Sequence, residues 1–381
     1  MRTVTTAALA ALAAGLVMAG AARAAPCAYA GGPATVQVPG RPFMAEASAD
    51  GCWVFVSMGA PAGGKVGAGG VAVLRNQARR FSLASVAAAK HYPGGLALSH
   101  DGRTLAVATE DSVAIYDVAR LEAGDPGAQT ATLPLGAGAI YVRISRDDRL
   151  LFVTQERLAQ LAVLDFAKAR TTGEKAQIGA IQLGRAPVGL GLSRDGARLY
   201  ATSESVSKTM FPVTCDPEVG DHGQHPEGVL TVIDVGAAAK DPDRAILGVR
   251  KAGCNPVRVA VSPDDATVWV TARGDRRLEG FAAKRLAGAS TAAPEMSVKV
   301  GPAPIGVAVR PDGTQIWVAD SNRFVHGHPG ELTAVSPDGK VLRTAPTGVF
   351  PRDLSFLPDG KTLVVAQFIS QAIQFVPTDA P

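Results

Sequence analysis

Pro187-Val188-Gly189-Leu190-Gly191-Leu192-Ser193-Arg194-Asp195-Gly196-Ala197-Arg198-Leu199-Tyr200-Ala201-Thr202 is the stretch that decides the fold. It runs from a proline through an alternating apolar segment to a Ser-x-Asp-Gly turn, then through a second apolar segment that ends on threonine. Alternation of this kind gives a strand one buried face, and Asp-Gly between two such runs joins them as a β-hairpin. The same grammar returns from Pro304 to Ala319.

Working outward, the turn aspartate recurs at Asp50, Asp101, Asp147, Asp195, Asp264, Asp312 and Asp359. Neighbouring copies stand 46 to 51 residues apart, apart from the 69 residues between Asp195 and Asp264. Strand-only repeats of this period signify a radial array, whose closure removes the exposed edges that an open stack of sheets would leave. The spacing predicts an all-β chain folded as a seven-bladed β-propeller of four-stranded antiparallel blades. Residues 34–40 have the character of the strand that ends other repeats, such as Ala180 to Gly184, whereas the last repeat stops after Ala372 to Val376. The ring is therefore expected to close by the N-terminal strand joining the last blade.

The pattern Pro-x-Gly-φ-Ala-φ-Ser-x-Asp-Gly-x-x-φ-Tyr-Val-Thr, where φ is an apolar residue, is best matched at 187–202, 256–271 and 304–319. It resembles the YVTN-type β-propeller repeat shared with lactonase-like propellers, and the resemblance spans the whole chain after its leader. It implies the fold. An activity has to come from a site, and no lactonase catalytic set is matched residue by residue.

The chain has 381 residues, 47% of them hydrophobic and only 5% aromatic, with 42 glycines and 26 prolines, a composition that suits short strands and many turns. Met1-Arg2, an apolar run from Ala7 to about Met18, and Ala22-Arg23-Ala24 together read as a signal peptide cut before Ala25. Residues 1–24 are then a leader and 25–381 a single propeller domain, exported to the periplasm or secreted, with no membrane span in the mature chain and expected to be a monomer. Loss of Arg2 and Arg23 lowers the formal charge from +4 to about +2. No basic run interleaved with aromatics occurs, so nucleic acid is not an expected partner.

Four cysteines in an exported chain favour disulfides. In each repeat the turn between the first two strands faces one side of the disc, the bottom, and the other loops face the top. Cys27 and Cys52 then fall at the bottom by the closing seam, while Cys215 and Cys254 fall on the top, so the expected pairs are Cys27–Cys52 and Cys215–Cys254.

Two candidate sites follow. The long spacing places an insertion between about Val206 and Gly228, in a top-face loop that carries His222 and His225; a second top-face loop carries His326 and His328. Imidazoles gathered with a carboxylate such as Asp221 would suit zinc or another transition metal. The second site is the channel. Second and fourth after the repeat proline stand mostly Gly or Ala, against which Glu46, Tyr141, Arg143, Arg258 and Asp353 stand out, along with Arg352. Carboxylates and guanidiniums facing one channel can hold an anionic or polyhydroxylated ligand, with a carboxylate as general base. The sequence thus offers a binding or interaction module that takes a small-molecule or periplasmic protein ligand at its top face, or alternatively a lactonase-like hydrolase using Glu46, Arg143, Arg258 and Asp353. Gly-x-Ser-x-Gly, His-Glu-x-x-His and dinucleotide-binding fingerprints are absent.

Overall fold

In the computed structural model, the residues described are 27–29, 32–61, 64, 69–171, 176–218, 223–288 and 293–379. The predicted leader lies outside them. Each repeat begins from its turn. Ser193 Oγ donates to Asp195 Oδ1 at 2.6 Å, and the same carboxylate accepts the Ala197 amide at 2.8 Å. Gly196 takes φ +73°, the left-handed conformation that suits a residue without Cβ. Equivalent carboxylate bonds form at Asp50, Asp101, Asp147, Asp264, Asp312 and Asp359. The turn chemistry sets the register of the two strands it joins.

Five four-stranded antiparallel sheets result. They begin on the strands Arg41–Ala47, Arg185–Leu192, Pro256–Val261, Pro304–Val309 and Pro351–Phe356. The last of them is completed by Ala34–Gln37, which pairs with Ala372–Pro377 in the register Ala34 opposite Phe375. Seven separate blades were expected; the structure has six large sheets. The repeats around Asp101 and Asp147 share one six-stranded sheet, because Thr104–Asp117 and Gln129–Ile144 run as unbroken strands of 14 and 16 residues. Gln129–Pro134 pairs with the preceding strand and Ala139–Ile144 with the following one. Gly136 and Gly138, at φ +85° and +88°, bend the chain between the two without ending its extended run.

Seven strand segments nevertheless line the central channel, contributed around residues 44–47, 97–98, 143–144, 191–192, 259–261, 307–309 and 354–356. Threonines that end the second strand of a repeat tie these segments together. Thr202 Oγ1 donates to Val257 O at 2.7 Å and Thr271 Oγ1 to Ile305 O at 2.8 Å, both buried and both crossing between sheets. Gly189 permits the close approach: a Cβ there would lie 2.2 Å from Val257 O. Between the sheets, large side chains such as Phe55, Phe152, Trp269, Phe281 and Trp317 are fully buried.

Cysteine sulfurs lie 2.03 Å apart in Cys27–Cys52 and 1.99 Å apart in Cys215–Cys254, the two expected pairs. Among the described residues no helix is long and apolar enough to cross a membrane.

Candidate functional site at the channel mouth

The first residue after the repeat proline builds the rim of the channel's top mouth. Phe43, Ile140, Val188, Val257 and Ile305 make it apolar, and Arg352 breaks the pattern. One step further along the strands, Met44, Tyr141, Arg258 and Asp353 are all buried and fill the middle of the channel. Arg258 and Asp353 come from different sheets and meet across the axis, with Nε 3.5 Å from Oδ1. The Arg258 guanidinium also lies 4.5 Å from the Tyr141 ring centroid and donates to Val188 O.

This plug separates two cavities. The lower, about 390 Å³, contains Glu46, Arg143, Arg146 and His100 among apolar strand residues. Glu46 Oε2 accepts the Leu98 amide at 3.2 Å, and Arg143 Nε donates to Leu190 O at 3.3 Å. Burial pushes the Glu46 carboxyl above the usual range, against the pull of Arg143. Burial likewise pushes Asp353 up to about 6, with Arg258 and Arg143 opposing it. Of the four residues named from the sequence as a hydrolase set, Arg258 and Asp353 form the plug, while Glu46 and Arg143 face the cavity below it.

The upper cavity, about 310 Å³, is lined by Glu156, Glu204, Glu218, Arg258, Arg273, Arg323 and Arg352 over the apolar rim. Arg273 is 6% exposed and holds two carboxylates at once: its Nη1 is 2.8 Å from Glu204 Oε1 and its Nε 2.8 Å from Glu218 Oε2. Glu218 belongs to the insertion, and Cys215–Cys254 fastens that insertion beside Arg273. The inserted segment is therefore anchored at the channel mouth.

The sequence reading missed Glu156, Glu204 and Arg273. All three occupy the position four residues beyond the second-strand residue that faces the fourth position after the proline: Phe152 faces Arg143, Tyr200 faces Gly191 and Trp269 faces Ala260. Aligning the ends of the second strands would have exposed them, as aligning the first strands exposed Arg258.

Of the four candidate histidines, three lie among the described residues. His222 lies outside the described residues, as does Asp221; His225 sits in the short ribbon Val213–Cys215/His225–Pro226 with Nδ1 2.8 Å from Pro226 O. His326 and His328 are exposed. Among the described residues no group of three or more His, Cys, Asp or Glu is placed to hold a metal ion.

These features define an all-β propeller with a charged mouth on the side that carries its insertion. No family model and no curated protein matches the chain. Among solved structures it is similar to hydrazine synthase of Kuenenia stuttgartiensis, at 18% identity and a TM-score of 0.66, with 90% of this chain and 97% of that chain covered. Identity that low speaks for fold alone, and the YVTN resemblance likewise extends to the propeller arrangement.

Proposed function

We propose that the protein is an exported β-propeller that binds a small ligand at the top mouth of its channel. The observation that carries this reading is the Arg273 clamp: the inserted segment is fastened by Cys215–Cys254 and by Glu218 at the edge of a charged cavity. Rigid discs that vary in one loop are suited to presenting a binding site. Residues 1–24 serve as the export leader in this reading, two disulfides fit the periplasm or the exterior, and the protein acts as a monomer. The six-stranded sheet occupies two of seven blade positions, and Ala34–Gln37 is the clasp that closes the ring. Saturation-transfer NMR of the mature protein with a panel of small metabolites is the test. Binding that disappears in Arg273→Gln supports a ligand at the mouth; a panel that never binds, or binds the variant equally, overturns it.

A second reading, lactonase-like hydrolysis through Glu46, Arg143, Arg258 and Asp353, draws support from the Asp353 carboxyl, held near pH 6 where a general base works well. Acid release from γ- and δ-lactones, followed in a pH-stat, should then vanish in Asp353→Asn. Absence of turnover by the wild type removes this reading.

A further inference from the structure

We infer that the ligand of the upper cavity is a small monocarboxylate, its carboxylate received between Arg352 and Arg323 and its body resting on the apolar rim. This deepens the mouth-binding reading and rests on it.

The argument starts from the groups the fold leaves without partners. Among the described residues, Arg352 makes no hydrogen bond or ion pair, and its Nε is buried without an acceptor. Its guanidinium carbon lies 4.0 Å from the Phe43 ring centroid, 5.2 Å from Phe368 and 5.6 Å from Phe350. Arg323, exposed at the lip, is also without a hydrogen bond or ion pair among the described residues, and it lies 5.3 Å from the same Phe350 ring. Two guanidiniums thus flank one aromatic ring and line one cavity. Stacking satisfies the faces of these groups and leaves their in-plane N–H donors open, the geometry that receives a carboxylate edge-on. Phe350 holds its ring there from φ +57°, a left-handed conformation unfavourable to a bulky residue.

Charge decides between a monoanion and a dianion. Arg273 is paired with both Glu204 and Glu218, which leaves that group one charge negative, and Arg258 is paired with Asp353. Arg323 and Arg352 remain, facing Glu156, which is half-buried and has no hydrogen bond among the described residues. Taken together, Arg258, Arg273, Arg323 and Arg352 meet the four carboxylates Glu156, Glu204, Glu218 and Asp353, so the set is neutral overall; a monocarboxylate adds one negative charge beside the two free cations, where a phosphate dianion would add a second among the glutamates. The apolar rim of Ile140, Val188, Val257 and Ile305 suits a hydrocarbon body, and the cavity volume is at the small end for such sites.

The test is calorimetric titration of the mature protein at pH 7 with acetate, lactate and benzoate, their neutral amides, inorganic phosphate and tetramethylammonium. At least one carboxylate is expected to bind while its amide does not, with affinity falling about 10- to 100-fold in Arg352→Gln and less in Arg352→Lys. Arg323→Gln, at the exposed lip, supplies the same comparison if Arg352→Gln fails to fold. Equal binding of an amide, preference for phosphate, or indifference to both arginine substitutions overturns the carboxylate while leaving a mouth ligand standing. Silence from every compound overturns the carboxylate, and the metabolite panel with Arg273→Gln then decides the mouth reading separately.

Discussion

Asp320 shows how a single residue sets the protein's response to pH. Its carboxyl is wholly buried; Oδ2 accepts the Thr333 hydroxyl, and Oδ1 has no partner. Burial pushes the group up to about 7, against the Thr333 hydroxyl and the Gly301 backbone amide. The unfolded chain releases the same proton near pH 4, so the folded protein holds more protons between about pH 4 and 7, and stability falls as pH rises through that window. Asp353, raised to about 6, adds to the fall between about pH 4 and 6. Together they make the folded protein less stable at pH 8 than at pH 4. Asp320→Asn keeps an acceptor for Thr333 and loses the charge. Its melting temperature is expected a few degrees above wild type at pH 8 and level with it at about pH 4, by thermal scans in matched buffers. Asp353→Asn should move the same way, gaining stability at pH 8 because burial disfavours the ionised carboxyl more than Arg258 and Arg143 favour it, as chemical denaturation would show. Neither carboxyl's titration was legible in the sequence, since both depend on what the strand ends bury. Asp353 could be singled out from the repeat alignment only because glycine or alanine fills most equivalent positions.

Among the elements, the hairpin was the most legible and the contact between sheets the least. Asp101 is held down to about 2: burial, which acts to raise it, is outweighed by the Ser99 hydroxyl, the Arg103 amide and Arg170. Its stabilising contribution is complete above about pH 4 and is lost as pH falls toward 2. Acid unfolding should accordingly begin below pH 4, and Asp101→Asn should shift its onset upward; the measurement is ellipticity against pH. Ser-x-Asp-Gly carries this information in the sequence because the bonds span only two residues. Thr202 does not. Its partner Val257 is 55 residues away, and the hydroxyl bonds a carbonyl of the neighbouring sheet. Thr202→Val should cost about 1–3 kcal/mol, because a buried carbonyl loses its donor; denaturant midpoints give the value. The merger of two repeats into one six-stranded sheet was likewise invisible, since it hangs on the backbone angles of Gly136 and Gly138.

For the whole molecule, the two disulfides belong to different tasks. Cys27–Cys52 ties the segment before Ala34–Gln37 to the first hairpin, and Ala34–Gln37 covers the edge of Ala372–Pro377. Removing residues 25–38 from the chain 25–381 bares that edge, so light scattering should report aggregation at concentrations where the chain 25–381 stays clear. Cys215–Cys254 fastens only the insertion. The double serine variant should keep a near-native melting curve and lose affinity for the ligand proposed at the mouth.

By itself the sequence determined the propeller class, the hairpin turns, the pairing of the cysteines and the strand that meets the last sheet. Each of these is written in short-range chemistry repeated at a fixed period, and repetition makes a weak local signal additive. Only the tertiary structure decided the six-sheet arrangement, the buried Arg258–Asp353 plug and the cavity above it with Glu156, Arg273, Arg323 and Arg352. Those groups come from separate repeats and meet because the ring brings the same end of every repeat to one axis. Their partners, burial and charge balance exist only once the ring has formed.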